Sequence, residues 1–582
     1  MTADRRRELL GVAIVFVFLA YLVTAATWAD PTHHWVGSCC DPEQSVWYLA
    51  WLPSAIEHGQ NPFLTDRLNA PAGANLMWNA ANPFVALAVL PLTVTVGPVF
   101  AYNVALLAGV ALNGITAFLA LRRYARQPLG PLVGGVVYAL SPFVVSHAVL
   151  HLNLVMAWTP PLFLILLDEL VVRRRHRPVV LGVWIGVLAA VQLLIFEEVL
   201  ATTAVTGVVL LLVLAALARN RSLITEGVER LARAAIPALL AFLAIGGVPL
   251  AVQFFGPQQL HGRVQDPAIF STDFLNFVLP TSYQLLAPSF ATDVSRHFSG
   301  LFHEATGYIG LPLLAVLGWI VIRLRGDRRV VVGIAVAVVM AVCSLGPELH
   351  VGGADWHVPL PWLPFTWLPL LEHATPGRLT LYVWLAIAAV LAVGIDHALA
   401  TTDRWRLPRL AAIGLAILVV APAPLASTAK PVPASFASWS QQGIADTDTI
   451  LFAPWFTNGA GADPMLWAAV ADARPKMHEG YVYVPGTDGR PQYGPTAELV
   501  GRAMIQIQDL GAGIGLSPSS RQAMLAELAA DGIDDVIVGP MNHRDLMVDF
   551  FTRLLGAPPE QQDGIQLWRN VRAVTAAEAA AG

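Results

Sequence analysis

Charge is scarce in this chain. Only 13% of its 582 residues are Asp, Glu, Lys or Arg, against 56% hydrophobic, and the mean hydropathy is +0.59. No soluble protein of this size needs so much apolar surface, which excludes a chain that folds wholly in water. Cysteine is scarcer still: Cys39, Cys40 and Cys343 are all there is. Three cysteines build no disulfide framework, and the adjacent pair reads as two thiols because a bridge between neighbours is strained. A net charge of −5 offers no footprint for a nucleic acid. There is no glycine-rich phosphate loop of the Walker or Rossmann form and no Gly-x-Ser-x-Gly elbow. Internal repeats and low-complexity segments are absent too.

What the chain has instead is a series of apolar runs, many long enough to cross a hydrocarbon core of about 30 Å. Nearly all its basic residues are arginine, and they cluster. Arg5, Arg6 and Arg7 precede the first run. Further clusters lie at Arg122–Arg126, Arg173–Arg177, Arg219–Arg233, Arg323–Arg329 and Arg404–Arg409. The loops between them hold only isolated arginines such as Arg67, Arg263 and Arg296. Positive residues mark the cytoplasmic side, so the clusters orient about eleven spans with the N-terminus inside and the C-terminus outside. The first run, residues 9–28, is too long for a signal-peptide core and reads as an uncleaved first helix. Residues 83–96 are too short to span and would break the parity, so they read as a re-entrant or interfacial helix. Residues 44–59 read as a second interfacial helix, with Trp47, Tyr48 and Trp51 in the headgroup zone.

The composition changes near Lys430-Pro431-Val432-Pro433. Residues 449–453 read as a buried strand, 518–530 as an amphipathic helix, 535–538 as a strand after Gly532, and 566–569 as a final strand. Helix, glycine, strand is an α/β signature. The expected architecture is a mainly α polytopic membrane module over residues 1–428 and an extracytoplasmic α/β domain over residues 429–582. The alanine-rich tail after Val574 reads as frayed.

Four outer segments carry candidate chemistry. The first outer loop holds Asp41 and Glu43, either a catalytic pair or a solvated turn at Asp-Pro. A carboxylate there can take the proton of an acceptor hydroxyl. His147 and His151, four apart, could share a helix face and hold a metal, or mark a polar interfacial turn. Glu197 and Glu198 stand at the outer end of a span, where a carboxylate is either functional or cheaply hydrated. The long loop over residues 255–307 offers His261, Arg263 and Glu304. A cation there, or Arg378 at the end of its span, could hold a lipid phosphate, with snorkelling to the interface as the plainer reading of Arg378.

Asp41-Pro42-Glu43, Trp47-Tyr48-Leu49-Ala50-Trp51 and Gly59-Gln60-Asn61-Pro62-Phe63 together resemble the first outer loop of the GT-C glycosyltransferase superfamily. Echoes follow in order: Ser141-Pro142-Phe143, His151-Leu152-Asn153, Glu304 before Tyr308-Ile309-Gly310, Ser344-Leu345-Gly346-Pro347 and Pro376-Gly377-Arg378. Among its members the chain looks most like bacterial multi-pass proteins. The resemblance implies a GT-C helical bundle with interfacial helices in the first outer loop. It also implies inverting transfer from a polyprenyl-phosphate sugar to a glycan, lipid or protein acceptor of the cell envelope. The superfamily's early acid matches Asp41, with Glu43 next. Some members double that acid, whereas Pro42 separates the two here, which leaves open which is the base. His151, Glu198, His261, Arg263, Glu304 and Arg378 are then the substrate-binding candidates. No cofactor is required, although a divalent metal is compatible. The expected place is the bacterial inner (plasma) membrane, with the bilayer, the donor lipid and the acceptor as partners and no nucleic acid. A lipid or polysaccharide transporter and a non-catalytic envelope-assembly protein are the rivals. Few charges lie within the spans and no paired broken helices are evident, which weighs against transport.

Overall fold

The computed structural model describes residues 3–368, 371–457 and 459–581. It divides into two compact units, each discontinuous in sequence. The first comprises Met1–Ala29, Val104–Gly247 and Arg263–Ala426, and the second Asp30–Asn103, Val248–Gly262 and Ser427–Gly582. The sheet-bearing unit thus takes in the first long loop as well as the C-terminal stretch.

The first unit is helical. Each apolar run expected to span lies largely on a helix, and among the described residues six helices are long and apolar enough to cross a membrane. The protein is therefore a membrane protein. Its central helix is Thr380–Ala400, buried at almost every position and apolar all round, as a helix enclosed by others must be. Leu129–Ala139 packs against it through Gly130 and Gly134, a small-xxx-small pair that lets two backbones approach. A Cβ on Gly130 would lie 2.4 Å from the Ala392 carbonyl oxygen, and one on Gly134 would lie 2.8 Å from that of Ala388.

The second unit is built on a five-stranded sheet. Thr449–Ala453 pairs in parallel with Asp535–Val538 on one side and Lys476–Met477 on the other. Ile565–Trp568 runs antiparallel to Asp535–Val538, and Glu560–Gln562 closes the far edge. The two central strands are wholly buried, which explains the apolar runs Ile450–Ala453 and Val536–Val538 within them. Helix Arg544–Leu555 buries Met547, Phe550, Phe551, Leu554 and Leu555, the spacing of one helical face. Pro518–Ala530 starts on a Ser517–Ser520 capping box with Pro518 in its first turn.

Three local expectations are corrected. The expected surface helix is Asp41–Glu57, and it is enclosed: Trp47, Tyr48 and Trp51 are buried because helices Pro83–Thr95 and Asp463–Val470 pack on it. Cys39 and Cys40 form a vicinal disulfide across a cis peptide rather than remaining thiols. The tail is helical over Val571–Ala581.

The glycine contacts make a measurable demand. Gly134→Val should lower the melting midpoint of the purified protein, since forcing methyl groups into a packed interface costs about 1–3 kcal/mol. Gly318→Ala, where an added Cβ meets nothing within 4 Å, should leave it unchanged. Equal midpoints for wild type and Gly134→Val in a thermal melt would show that the two helices are not held this closely.

Candidate functional site

The two acids of the first loop sit in the first turn of helix Asp41–Glu57, where unpaired backbone N–H groups favour negative charge. Two positions apart on a helix is a rotation of roughly 200°, so their side chains point to opposite sides. Glu43 points inward and is 0% exposed. Its Oε1 lies 2.5 Å from Lys430 Nζ, which also reaches Asp463 Oδ1 at 3.2 Å. Burial alone would push the Lys430 amine down, but the two carboxylates outweigh it and hold the amine protonated.

Asp41 points the other way and is part-exposed. Its Oδ1 accepts a hydrogen bond of 2.8 Å from the Tyr481 hydroxyl. Tyr481 stacks on Phe456 with ring centroids 4.2 Å apart and lies 5.0 Å from Tyr493, which stacks in turn on Tyr483 at 4.4 Å. Gln44 Nε2 donates to the Tyr481 carbonyl at 2.6 Å and fixes that segment against the helix. Burial, and then the charge of Asp41, push the Tyr48 and Tyr481 phenols well above their ordinary value. Asp41 therefore stands at the edge of an aromatic cluster inside the second unit. Beneath it, Glu43 Oε2 and the Tyr48 and Tyr102 hydroxyls are buried without a hydrogen-bond partner among the described residues.

A second cluster lies wholly in the first unit. Arg378, 8% exposed, donates from Nη1 to Glu198 Oε2 at 2.5 Å and from Nη2 to Glu304 Oε1 at 2.7 Å. Arg378 Nε adds a bond to Glu304 Oε2 at 3.3 Å. The backbone N–H of Thr375 donates to Glu198 Oε1 at 2.7 Å. Burial would raise the Glu304 carboxyl, but Arg378 and the neighbouring imidazoles hold it well below the usual carboxylate range. His147 and His151 face it, their Nδ1 atoms 3.0 Å apart, and His303 packs on His151.

Ligand atoms of His147, His151 and Glu304 lie within 4.8 Å of one another. His147 Nε2 is buried without a hydrogen bond. Two imidazoles, one carboxylate and an orphaned ring nitrogen fit a zinc-like cation.

The sequence candidates thus separate. His151, Glu198, Glu304 and Arg378 come together in the first unit. Asp41 and Glu43 share one turn of the second. Arg378 is neither snorkelled to a surface nor a free cation for phosphate, because acids from two other segments claim it. Arg263 is exposed and donates to the Thr366 carbonyl at 2.9 Å, with no carboxylate in ion-pair reach among the described residues. His261 is exposed and tied by its backbone to Gly489.

Residues 9–421 match the family model described as "Domain of unknown function (DUF6311)". The chain belongs to this family. No functionally curated protein matches the sequence. Among solved structures, the arabinofuranosyltransferase AftD from Mycobacteria is similar with a TM-score of 0.54 at 14% identity, over 97% of this chain and 40% of that one. The Archaeoglobus fulgidus oligosaccharyltransferase tethered with an acceptor peptide gives 0.50 at 12% identity, over 91% of this chain and 68% of that one. Both are GT-C enzymes, and what this DUF6311 chain shares with them is the fold.

Lys430, Asp463, Phe456, Tyr481, Tyr483 and Tyr493 escaped the sequence reading. Signals were present: the chain has only two lysines, and Tyr481-Val-Tyr483 alternates beside Gly480.

Arg378 provides a direct test. Arg378→Met leaves two carboxylates buried without a counter-charge and should cost about 3–5 kcal/mol, seen as a collapsed melting midpoint or lost expression. Arg378→Met combined with Glu198→Leu and Glu304→Leu should recover part of that loss. A single variant as stable as wild type would mean that the three groups do not depend on one another.

Proposed function

We propose that the chain is a membrane glycosyltransferase that moves a sugar from a polyprenyl-phosphate donor to a hydroxyl acceptor of the cell envelope, with inversion and with Asp41 as the general base. The observation that carries this reading is the place of Asp41: part-exposed at a helix start, hydrogen-bonded to Tyr481 and bordered by aromatic rings. It matters because the surrounding fold is GT-C-like. Glu43 has the wrong disposition for a base, being enclosed and bound to Lys430.

The chemistry asked of these groups is modest. The acceptor hydroxyl attacks the anomeric carbon while the Asp41 carboxylate takes its proton. The new C–O bond forms as the bond from that carbon to the phosphate oxygen breaks, and polyprenyl phosphate leaves with the electron pair. The part-exposed rings of Tyr481 and Tyr493 suit the C–H face of an acceptor sugar. Negative charge grows on the departing phosphate, and a fixed cation would stabilise it. A divalent cation, if bound, would be held by His147, His151 and Glu304, and would supply positive charge for an oxyanion.

Asp41→Asn is nearly isosteric, so the variant should fold as wild type does. Its turnover on polyprenyl-phosphate sugars in proteoliposomes should fall by about 10²–10⁴, the usual worth of a general base. Glu43→Gln should act mainly on stability. A deletion strain should accumulate polyprenyl-phosphate sugar beside truncated glycan. Wild-type turnover by purified Asp41→Asn would sink the assignment and favour the non-catalytic assembly reading.

The proposed face is extracytoplasmic. Ser519 is exposed in the second unit, and Cys343 is buried. Ser519→Cys should therefore react with an impermeant maleimide on intact cells. Labelling only after lysis would reverse the orientation.

A further inference from the structure

One cavity of the first unit is not used by this chemistry. It encloses about 460 Å³ within the first unit, between helices Thr159–Leu167, Glu197–Ala216, Arg221–Phe255, Arg328–Ser344 and Thr380–Ala400. Its walls are aliphatic over most of their length, with polar groups at its two ends. Arg174, Arg328 and Arg329 line it near the start of helix Arg328–Ser344, and Thr203 and Tyr382 near the starts of helices Glu197–Ala216 and Thr380–Ala400. From Tyr382 to Val393 on the central helix the cavity runs for about 16 Å, at a rise of 1.5 Å per residue. That is the depth of a single leaflet, half of a core of about 30 Å.

The charges at the arginine end are unequal. Arg174 is paired with Glu226, and Arg329 with Asp327 at 2.6 Å. Arg328 is exposed, donates to the Leu214 carbonyl at 3.1 Å, and has no carboxylate in ion-pair reach among the described residues. Asp168 also lines the cavity, but Arg123 at 3.0 Å and Arg173 at 2.5 Å claim it, so the mouth keeps the positive charge of Arg328 above an apolar shaft one leaflet deep.

We propose that this cavity is a binding site for an anionic phospholipid, with one acyl chain in the shaft and the headgroup phosphate at Arg328, supported by Arg174 and Arg329. The depth argues for an acyl chain rather than a polyprenyl tail, which is far longer than one leaflet. The arginines argue for an anionic headgroup on the arginine-bearing side of the membrane, the side the positive-inside rule makes cytoplasmic. This site is independent of the proposed transfer reaction, because it shares no residue with Asp41, Glu43, Arg263 or the Arg378 cluster.

Gly207 makes the test clean. It lines the cavity, and a Cβ there would meet only the Leu167 side chain, at 3.6 Å, so a larger residue can grow into the shaft without striking backbone. The full-length protein is purified in detergent, delipidated, and titrated with phosphatidylglycerol, phosphatidylcholine or polyprenyl phosphate while its melting midpoint is followed. Phosphatidylglycerol should raise the midpoint more than phosphatidylcholine does. Arg328→Gln should weaken the phosphatidylglycerol response by about fivefold in apparent affinity, the worth of one arginine at an anionic lipid headgroup. Gly207→Phe should abolish it while keeping the lipid-free midpoint and the far-ultraviolet spectrum of wild type. Equal responses to the two phospholipids, a response only to polyprenyl phosphate, or an unchanged phosphatidylglycerol response in folded Gly207→Phe would each overturn the proposal.

Discussion

A guanidinium buried between two carboxylates ties the helical unit together at one end. Glu198 opens one span, Glu304 comes from a long loop, and Arg378 precedes the central helix. None of the three could be buried alone, because an isolated charge in a low-dielectric interior costs several kcal/mol. Each segment is thus obliged to deliver its partner, and the loop is anchored by charge rather than by apolar burial. With neutral imidazoles the group holds one more negative than positive charge. His147, His151 and His303 gather beside that residual charge, and His147 and His151 offer ring nitrogens to a cation.

The sheet-bearing unit solves a similar problem with lysine. Lys430 reaches Glu43 in the first loop's helix and Asp463 at the start of another, joining segments nearly 400 residues apart in sequence. Fixing Glu43 fixes the first turn of its helix, and with it the direction of Asp41. The two acids are separated by one proline, and their different neighbours follow from the rotation between nearby helix positions. The Asp-Pro-Glu spacing, which left the base ambiguous in the sequence, is what gives the two carboxylates different surroundings.

Much of the fold was legible. Apolar runs located the helices though not their ends, as residues 9–28 against helix Ala3–Val23 show, because length and hydropathy decide whether a segment is buried in lipid or protein. Strands 449–453 and 535–538 and helix 518–530 were read from local pattern alone. What could not be read was partnership across long stretches of chain. Nothing local to Arg378 reports that Glu198 and Glu304 meet it, and nothing near Asp41 reports Tyr481, 440 positions away. The helix at Asp41–Glu57 was misjudged for the same reason. Its tryptophans look like membrane anchors until two other helices are known to cover them. Membership of the sheet-bearing unit was hidden as well, since residues 30–103 carry no α/β signature of their own.

The scarcity of lysine has a chemical corollary. The chain's only two lysines are both engaged, Lys430 with Glu43 and Asp463, and Lys476 with Asp66 at 3.8 Å, and their side chains are less than a fifth exposed. A protonated amine held in an ion pair is a poor nucleophile. Amine-directed cross-linkers, acetylating reagents and surface immobilisation through lysine should therefore find almost no purchase on the folded protein, whereas the same chemistry should register the moment the Lys430 ion pair opens.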